Sequence, residues 1–288
     1  MCGGGPRPAN ISDSHAIEHR SIAPNRNPRH PLHGAGDIAS CNLDSDEATA
    51  PALDGVQGVV FTAGDNAYQD GTAEQYSICY GPTWGRHQAR TRPTPGNHEY
   101  HTPGAYPYFA YFGANAGDSS KGYYSYDVGT WHIIAINSNI ARDRGSPQEQ
   151  WLRADLAAYA THCTVAYWHF PRFSSGVHGS DPTMAAMWQA LYDADADVVI
   201  SGHDHHYERF APQTADGTSD PARGVREFVV GTGGGSLTQP PTIAPNSKVR
   251  IVGTFGVLKL VLQESSYQWR FIPSRGGTLT DSGSTLCH

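Results

Sequence analysis

Four short polar clusters in the chain carry residue types able to hold a metal ion: Gly64-Asp65-Asn66-Ala67-Tyr68, Gly96-Asn97-His98-Glu99, Trp168-His169-Phe170-Pro171 and Gly202-His203-Asp204-His205-His206. Carboxylate, carboxamide, phenol and imidazole are all first-row metal ligands, and imidazole binds as the neutral ring through one nitrogen. His203 and His205, two apart, project to one side if the chain stays extended there, which turns His206 away. With 15 histidines and 32 glycines, one Gly-His-x-His is weak by itself; the joint occurrence of such clusters at the ends of apolar runs is not. The chemistry this donor set suits is metal-assisted hydrolysis. A serine nucleophile is not supported, because no Gly-x-Ser-x-Gly elbow occurs and Ser201 belongs to the run before the histidines.

The clusters need strands to position them. Candidate strands are GVVFTA (58–63), WHIIAINS (131–138), TVAYWHF (164–170), DVVIS (197–201), REFVVGT (226–232), TFGVLKLVL (254–262) and SYQWRFIP (266–273). The clusters lie at strand ends or in following loops, where open α/β folds build their sites. Ser146-Pro147-Gln148-Glu149 signals a capped helix start leading into Trp151, Leu152 and Leu156. Asp181-Pro182 opens a second helix, whose Met184, Met187, Trp188 and Leu191 follow one helical face and read as core. Strand and helix alternate up to residue 201 and strands dominate after it, which predicts α/β sheets covered by helices in one domain. Residues 1–34, rich in Pro, His, Arg and Asn, read as an irregular arm, with the catalytic domain at 35–288; RNPRHPLHGAG gives no strand pattern.

Composition narrows the partners. The 288 residues carry a formal charge of -7 with no basic stripe, so neither nucleic acid nor an anionic membrane is expected as a partner. Apolar runs such as FGVLKLVL fall far short of the roughly 20 residues that span a bilayer, which predicts a water-soluble protein acting on small molecules. Five cysteines (Cys2, Cys41, Cys79, Cys163, Cys287) lack CxxC spacing and leave at least one thiol free. Cys41 and Cys79 lie near the motifs; a disulfide between them and two free buried thiols are both compatible with the sequence. MCGGGPRPAN has no basic segment followed by an apolar one, so no signal peptide is expected in this chain.

GDIAS (36–40), GDNAY (64–68), GNHE (96–99), WHFP (168–171) and GHDHHYER (202–209) together resemble the five ordered motifs of calcineurin-like metallophosphoesterases, specifically the purple acid phosphatase-like branch. The resemblance runs from about residue 35 to the C-terminus. It implies a four-layer α/β/β/α sandwich with a dinuclear metal centre. The first ion would be held by Asp37, Asp65, Tyr68 and His205, the second by Asp65, Asn97, His169 and His203, with Asp65 bridging. Most of the superfamily has Asp-x-His at the first motif, whereas Asp37-Ile38-Ala39 offers no imidazole. Tyr68, on the face of Asp65 if the segment turns helically, supplies the missing ligand. Two carboxylates and a phenolate suit iron(III); the second set, with neutral Asn97, His169 and His203, suits zinc, manganese or iron(II).

Phosphate-ester hydrolysis requires on the order of 20 kcal/mol of barrier reduction, more than any one side chain supplies. The resemblance implies a metal-bound hydroxide as nucleophile, His98 as general acid for the departing alkoxide and His178 as a substrate contact. Glu99, Glu208 and Arg209 are expected to buttress the loops, and His101, His132 and His162 to be structural or exposed. The expected function is an acid phosphatase-like phosphomonoesterase. The alternatives are a phosphodiesterase or nucleotide hydrolase with the same centre, and, more remotely, a non-catalytic scaffold binding a protein partner. Relatives of this type tend to be exported, which points to a secreted mature form. The β-sandwich domain that precedes the catalytic domain in plant-type purple acid phosphatases is not expected within these 288 residues.

Overall fold

The computed structural model of the chain describes residues 1–3, 29–159 and 163–288. Most of the expected N-terminal arm, at 4–28, and His162 lie outside the described residues. One sheet orders six strands β15-β14-β13-β1-β3-β5, and a second orders seven, β12-β10-β11-β9-β8-β7-β6. The first is built from β1 (His30–Ala35), β3 (Val59–Ala63), β5 (Thr91–Thr94), β13 (Gly256–Gln263), β14 (Ser266–Pro273) and β15 (Ser282–Leu286). The second comprises β6 (Tyr124–Val128), β7 (Trp131–Ala135), β8 (Cys163–Tyr167), β9 (Val198–Ser201), β10 (Tyr207–Phe210), β11 (Arg226–Val230) and β12 (Ser247–Ile251). A short parallel pair, β2 (Ala39–Ser40) and β4 (Ala67–Tyr68), sits beyond the first sheet.

Continuous apolar runs arise because the central strands are buried on both faces. Trp131, Ile133 and Ala135 join Val165, Tyr167, Val198 and Ile200 in a core shared with Leu32, Phe61 and Leu258 of the other sheet. Ile134, Ile136, Ala166, Trp168 and Val199 point the opposite way. There they meet Leu152 and Leu156 of helix Pro147–Ala158 and Met187, Trp188 and Leu191 of helix Ala185–Asp193. Ser146 caps the first of these helices, accepting from Glu149 N–H at 3.2 Å. Sheets face to face with helices outside make the expected four-layer α/β/β/α sandwich, a single α/β domain.

Strand β1 corrects the sequence reading, since it falls within residues read as irregular arm. Pro31 and Gly34 hide it from pattern, yet it is central, antiparallel to β13 and parallel to β3. Pairing with β3 begins at Leu32, past the proline that would interrupt a ladder. Asp37 is therefore entered from a strand. Strands β1, β3, β5, β8 and β9 belong to parallel pairs, and their C-terminal ends converge at the edge where the sheets meet. Gly36 N–H donates across that junction to Val230 O at 2.8 Å.

Two cystines tie the periphery, Cys41–Cys79 and Cys163–Cys287, leaving Cys2 as a free exposed thiol. The second pairing had no signal in spacing.

Candidate metal centre

Asp37 follows β1 after one glycine, Asp65 follows β3, Asn97 lies beyond β5, His169 beyond β8, and His203 and His205 beyond β9. The strand ends deliver these side chains to one place. Tyr68 Oη donates to Asp37 Oδ1 at 2.7 Å, lies 3.1 Å from Asp65 Oδ2, and is 3.2 Å from His205 Nε2. His205 Nε2 is 3.3 Å from Asp37 Oδ1. On the other side of Asp65, its Oδ2 is 3.2 Å from His169 Nε2, which lies 2.9 Å from Asn97 Oδ1 and 3.2 Å from His203 Nδ1. Asp65 thus stands between two donor groups.

The local backbone departs from the sequence reading while delivering the same side chains. After β9 the chain is not extended: Asp204 N–H bonds Gly202 O, His206 N–H bonds Asp204 O, and His203 has φ of 69°. Nor does residues 65–68 form a helical turn, since Tyr68 reaches back from the β4 strand. Asp37 and Asp65 also have positive φ, at 60° and 50°. Such backbone costs free energy for non-glycine residues and persists where the surroundings enforce it. Gly64 and Gly96 allow the close approach: a Cβ at Gly64 would lie 2.5 Å from His169 Nδ1, and one at Gly96 only 2.1 Å from Asp65 Oδ1.

A surrounding layer fixes orientation. His169 Nδ1 faces Ala63 O at 2.8 Å, and His205 Nδ1 bonds Ser236 O, so each turns Nε2 inward. His203 N–H and His98 N–H donate to Asp37 Oδ2 and Asp65 Oδ1. Fully buried Glu99 accepts from the N–H groups of Asp65, Asn66, Ala67 and Gly96 and from Tyr76 Oη, the buttress expected of it. Glu208 accepts from Ser175, and Arg209 pairs with Asp281. His98 stacks edge-on against Tyr68 at 4.5 Å, with Nε2 3.8 Å from Asp65 Oδ2. His178 lies with its ring centroid 4.3 Å from that of His203. His206 is buried elsewhere, against Glu208 at 3.1 Å, as a bystander. His132 is structural, clamped between Asp127 and Asp155, and His101 is surface-exposed beside Asp70.

The charges balance only internally. Burial opposes ionisation of Asp65, but His169 and His98 hold its carboxyl below the usual carboxylate range; His205 does the same for Asp37. Burial opposes a charged His169, yet Asp65 outweighs it and lifts the ring to about 9. Burial and then the neighbouring His169 push His203 down to about 3. Burial, Asp37 and Asp65 raise the Tyr68 phenol well above its ordinary value. No Lys or Arg among the described residues forms an ion pair with Asp37 or Asp65, whose ion-pair contacts are all histidines.

This donor set fits metal ions. His169 Nε2 faces three acceptor-capable atoms with at most one proton, and Tyr68 Oη faces two carboxylates with one. Converging lone pairs around two buried carboxylates form a set that metal cations would satisfy in place of the protons the histidines otherwise hold there. Beside them a cavity of about 240 Å³ is lined by Ser40, Leu43, Tyr68, Gln69, His98, His205, Gly235 and Ser236.

Sequence reasoning missed the backbone carbonyls of Ala63, Gln69 and Ser236, which carry no side-chain signal. It also missed Asp204 as a support, hidden between two ligand-type histidines. The glycine run 233–235 before Ser236 was a usable sign of close approach.

Facing sheets flanked by helices, with metal-type donors at the C-terminal ends of strands from both, define the metallophosphoesterase class. The chain belongs to the calcineurin-like phosphoesterase family, whose profile matches residues 9–207. Its relatives place it on the purple acid phosphatase-like branch. It is 34% identical over 163 residues to purple acid phosphatase 18 of Arabidopsis thaliana, covering 51% of this chain and 37% of that protein. It is 35% identical over 132 residues to purple acid phosphatase 15 of the same plant, covering 44% and 24%. The matches thus span well under half the length of these curated relatives. Among solved structures, purple acid phosphatase PPD1 from yellow lupin (Lupinus luteus) seeds superposes with a TM-score of 0.74 at 19% identity, over 90% of this chain and 54% of that one. GAP50, the anchor in the inner membrane complex of Plasmodium, gives 0.71 at 12% identity, over 90% and 89%. These two likenesses concern the fold.

Proposed function

We propose that the chain hydrolyses phosphoric monoesters at a dinuclear metal centre. The observation that carries this reading is Asp65 Oδ2, which lies 3.1 Å from Tyr68 Oη on one side and 3.2 Å from His169 Nε2 on the other. Asp37, Tyr68 and His205 would complete one set with Asp65; Asn97, His169 and His203 would complete the other. A bound pair of ions supplies Lewis acidity toward phosphoryl oxygens and activates water at mild pH. The first set, with two carboxylates and a phenol, favours iron(III), and the second a divalent zinc, manganese or iron.

The chain's own groups take the remaining tasks. His98 donates from Nδ1 to Gln69 O at 2.5 Å, which leaves Nε2 to hold a proton for the leaving-group oxygen. His178 contacts the phosphoryl group beside His203. The neighbouring cavity of about 240 Å³ receives the alcohol portion. Two cystines favour an oxidising compartment, which supports export. No helix among the described residues is long and apolar enough to cross a membrane.

Metal analysis of purified protein, with rates on nitrophenyl phosphate and its bis-ester, tests this reading. Two metals per chain including iron, a visible tyrosinate-to-iron band lost in Tyr68→Phe, and preference for the monoester are expected. A colourless, iron-free active protein rules out iron(III), and a strong diester preference replaces the substrate class.

A further inference from the structure

Asp204 sits between His203 and His205, yet its carboxylate serves a different structure. It is fully buried. Oδ1 accepts from His178 N–H at 2.9 Å, while Oδ2 accepts from Ser174 Oγ at 2.5 Å and Gly179 N–H at 3.1 Å. All three donors belong to the segment 174–179, which wraps closely around it: a Cβ at Gly176 would lie 2.1 Å from Asp204 Cγ. Ser174 Oγ in turn accepts from Gly176 N–H at 2.9 Å. Two more buried acids hold this stretch and the two residues before it. Glu227 accepts from Arg172 and Phe173 N–H at 3.0 and 2.8 Å, and Glu208 from Ser175 N–H at 2.8 Å. From its glycine- and serine-rich sequence, SSGVHGS, this loop would be expected to move. The carboxylates make it a fixed platform, and the side chain it presents to the site is His178, 4.3 Å from His203 between ring centroids.

We propose that Asp204 is a positioning residue: by gripping the 174–179 loop it holds His178 against His203 and thereby sets the affinity of the site for a phosphoryl group. The inference rests on the phosphoesterase reading above. Its chemistry is that of a carboxylate, which accepts on both oxygens. Asp204→Asn keeps one acceptor oxygen but turns an amide N–H toward the Gly179 N–H or its neighbours, donor against donor. Ser174 Oγ can reorient to accept; a backbone N–H cannot, so the loop must shift and His178 with it. Displacements of about 1 Å at a substrate-positioning group are enough to lower activity strongly.

The test uses inorganic phosphate as probe, bound to the metal-loaded full chain and followed by calorimetry and by competitive inhibition of nitrophenyl phosphate hydrolysis. Asp204→Asn and His178→Ala are each expected to weaken phosphate binding on the order of tenfold. Both should raise KM more than they lower kcat, with metal content per chain retained. Because Asp204 acts through His178, the double variant should bind phosphate no more weakly than His178→Ala alone. Ser174→Ala, which removes one of the three contacts without touching the histidine cluster, should shift affinity in the same direction by less. Unchanged affinity in Asp204→Asn, additive losses in the double variant, or loss of metal would overturn the inference while leaving the functional reading intact. A metal-loaded wild-type chain that neither binds phosphate nor hydrolyses the ester sinks both.

Discussion

At His98 a backbone atom decides which nitrogen meets the site. Nδ1 is committed to Gln69 O, so Nε2 alone is turned toward Asp65. His169 and His205 follow the same rule through Ala63 O and Ser236 O, whereas His203 presents Nδ1. A general acid matters in proportion to how badly the leaving group needs a proton. His98→Ala is therefore expected to lower kcat for alkyl phosphates by roughly 10² to 10⁴, with a much smaller loss for nitrophenyl phosphate, whose phenolate departs unaided. Parallel kinetics on the two substrates check this; equal losses on both would remove His98 from the acid role. That these residues would gather was readable in the sequence, because metal-type donors recur in motifs that resemble those of a known family. Their tautomers were not, because carbonyl partners leave no mark in side-chain sequence.

Strands buried on both faces announce themselves as apolar runs, and β7, β8, β9 and β11 were legible for that reason. Strand β1 was not: in HPLHGA only Leu32 is a large aliphatic residue, and its place is set by neighbours β3 and β13 rather than by propensity. The interior strand β10, YERF, and the edge strand β12, SKVRI, were equally silent. The cystines act at this scale by tying elements remote in sequence. Cys41–Cys79 closes a separation of 38 residues, linking the segment after β2 to the helical turn at Tyr76–Tyr80. Cys163–Cys287 closes 124, tying the C-terminus to the start of β8. Loop-closure entropy assigns them about 4 and about 5 kcal/mol respectively. Denaturant unfolding with and without reductant should reveal the loss, and Cys287→Ser should account for the larger part; unchanged midpoints would mean that neither bond constrains the unfolded chain.

Across the whole molecule, away from the metal-type donors, several buried groups hold their protons above the ordinary range, while burial and then Lys259 and Arg90 push His33 the other way, down to about 4. Burial lifts Glu227 to about 8 and Asp197 to about 7. Burial opposes charge on His132, but Asp155 and Asp127 clamp the ring from both sides and raise it above its ordinary value. A group whose pKa is higher in the folded state contributes stability that is complete below its unfolded pKa and is lost as pH rises through the folded one. For Glu227 that window runs from about 4.5 to about 8. From 6.5, the ordinary histidine value above which His33 is neutral folded or unfolded, up to about 8 the protein is thus expected to lose stability, as thermal unfolding across pH would show. Glu227→Gln should flatten the decline; a profile rising with pH through this window would contradict the assignment.

The sequence by itself determined the donor types, their order along the chain, the α/β class and the apolar strands that carry them, because coordination chemistry and two-sided burial each restrict residue choice locally; the sandwich was implied only by the family resemblance. Only the tertiary structure decided that β1 exists beneath Asp37, that His203 and His205 reach the site from tight turns, that Cys163 meets Cys287, and that Asp204 serves a loop. Each of those outcomes depends on partners far away in sequence, and a residue's own type and spacing say nothing about which distant backbone will be packed against it.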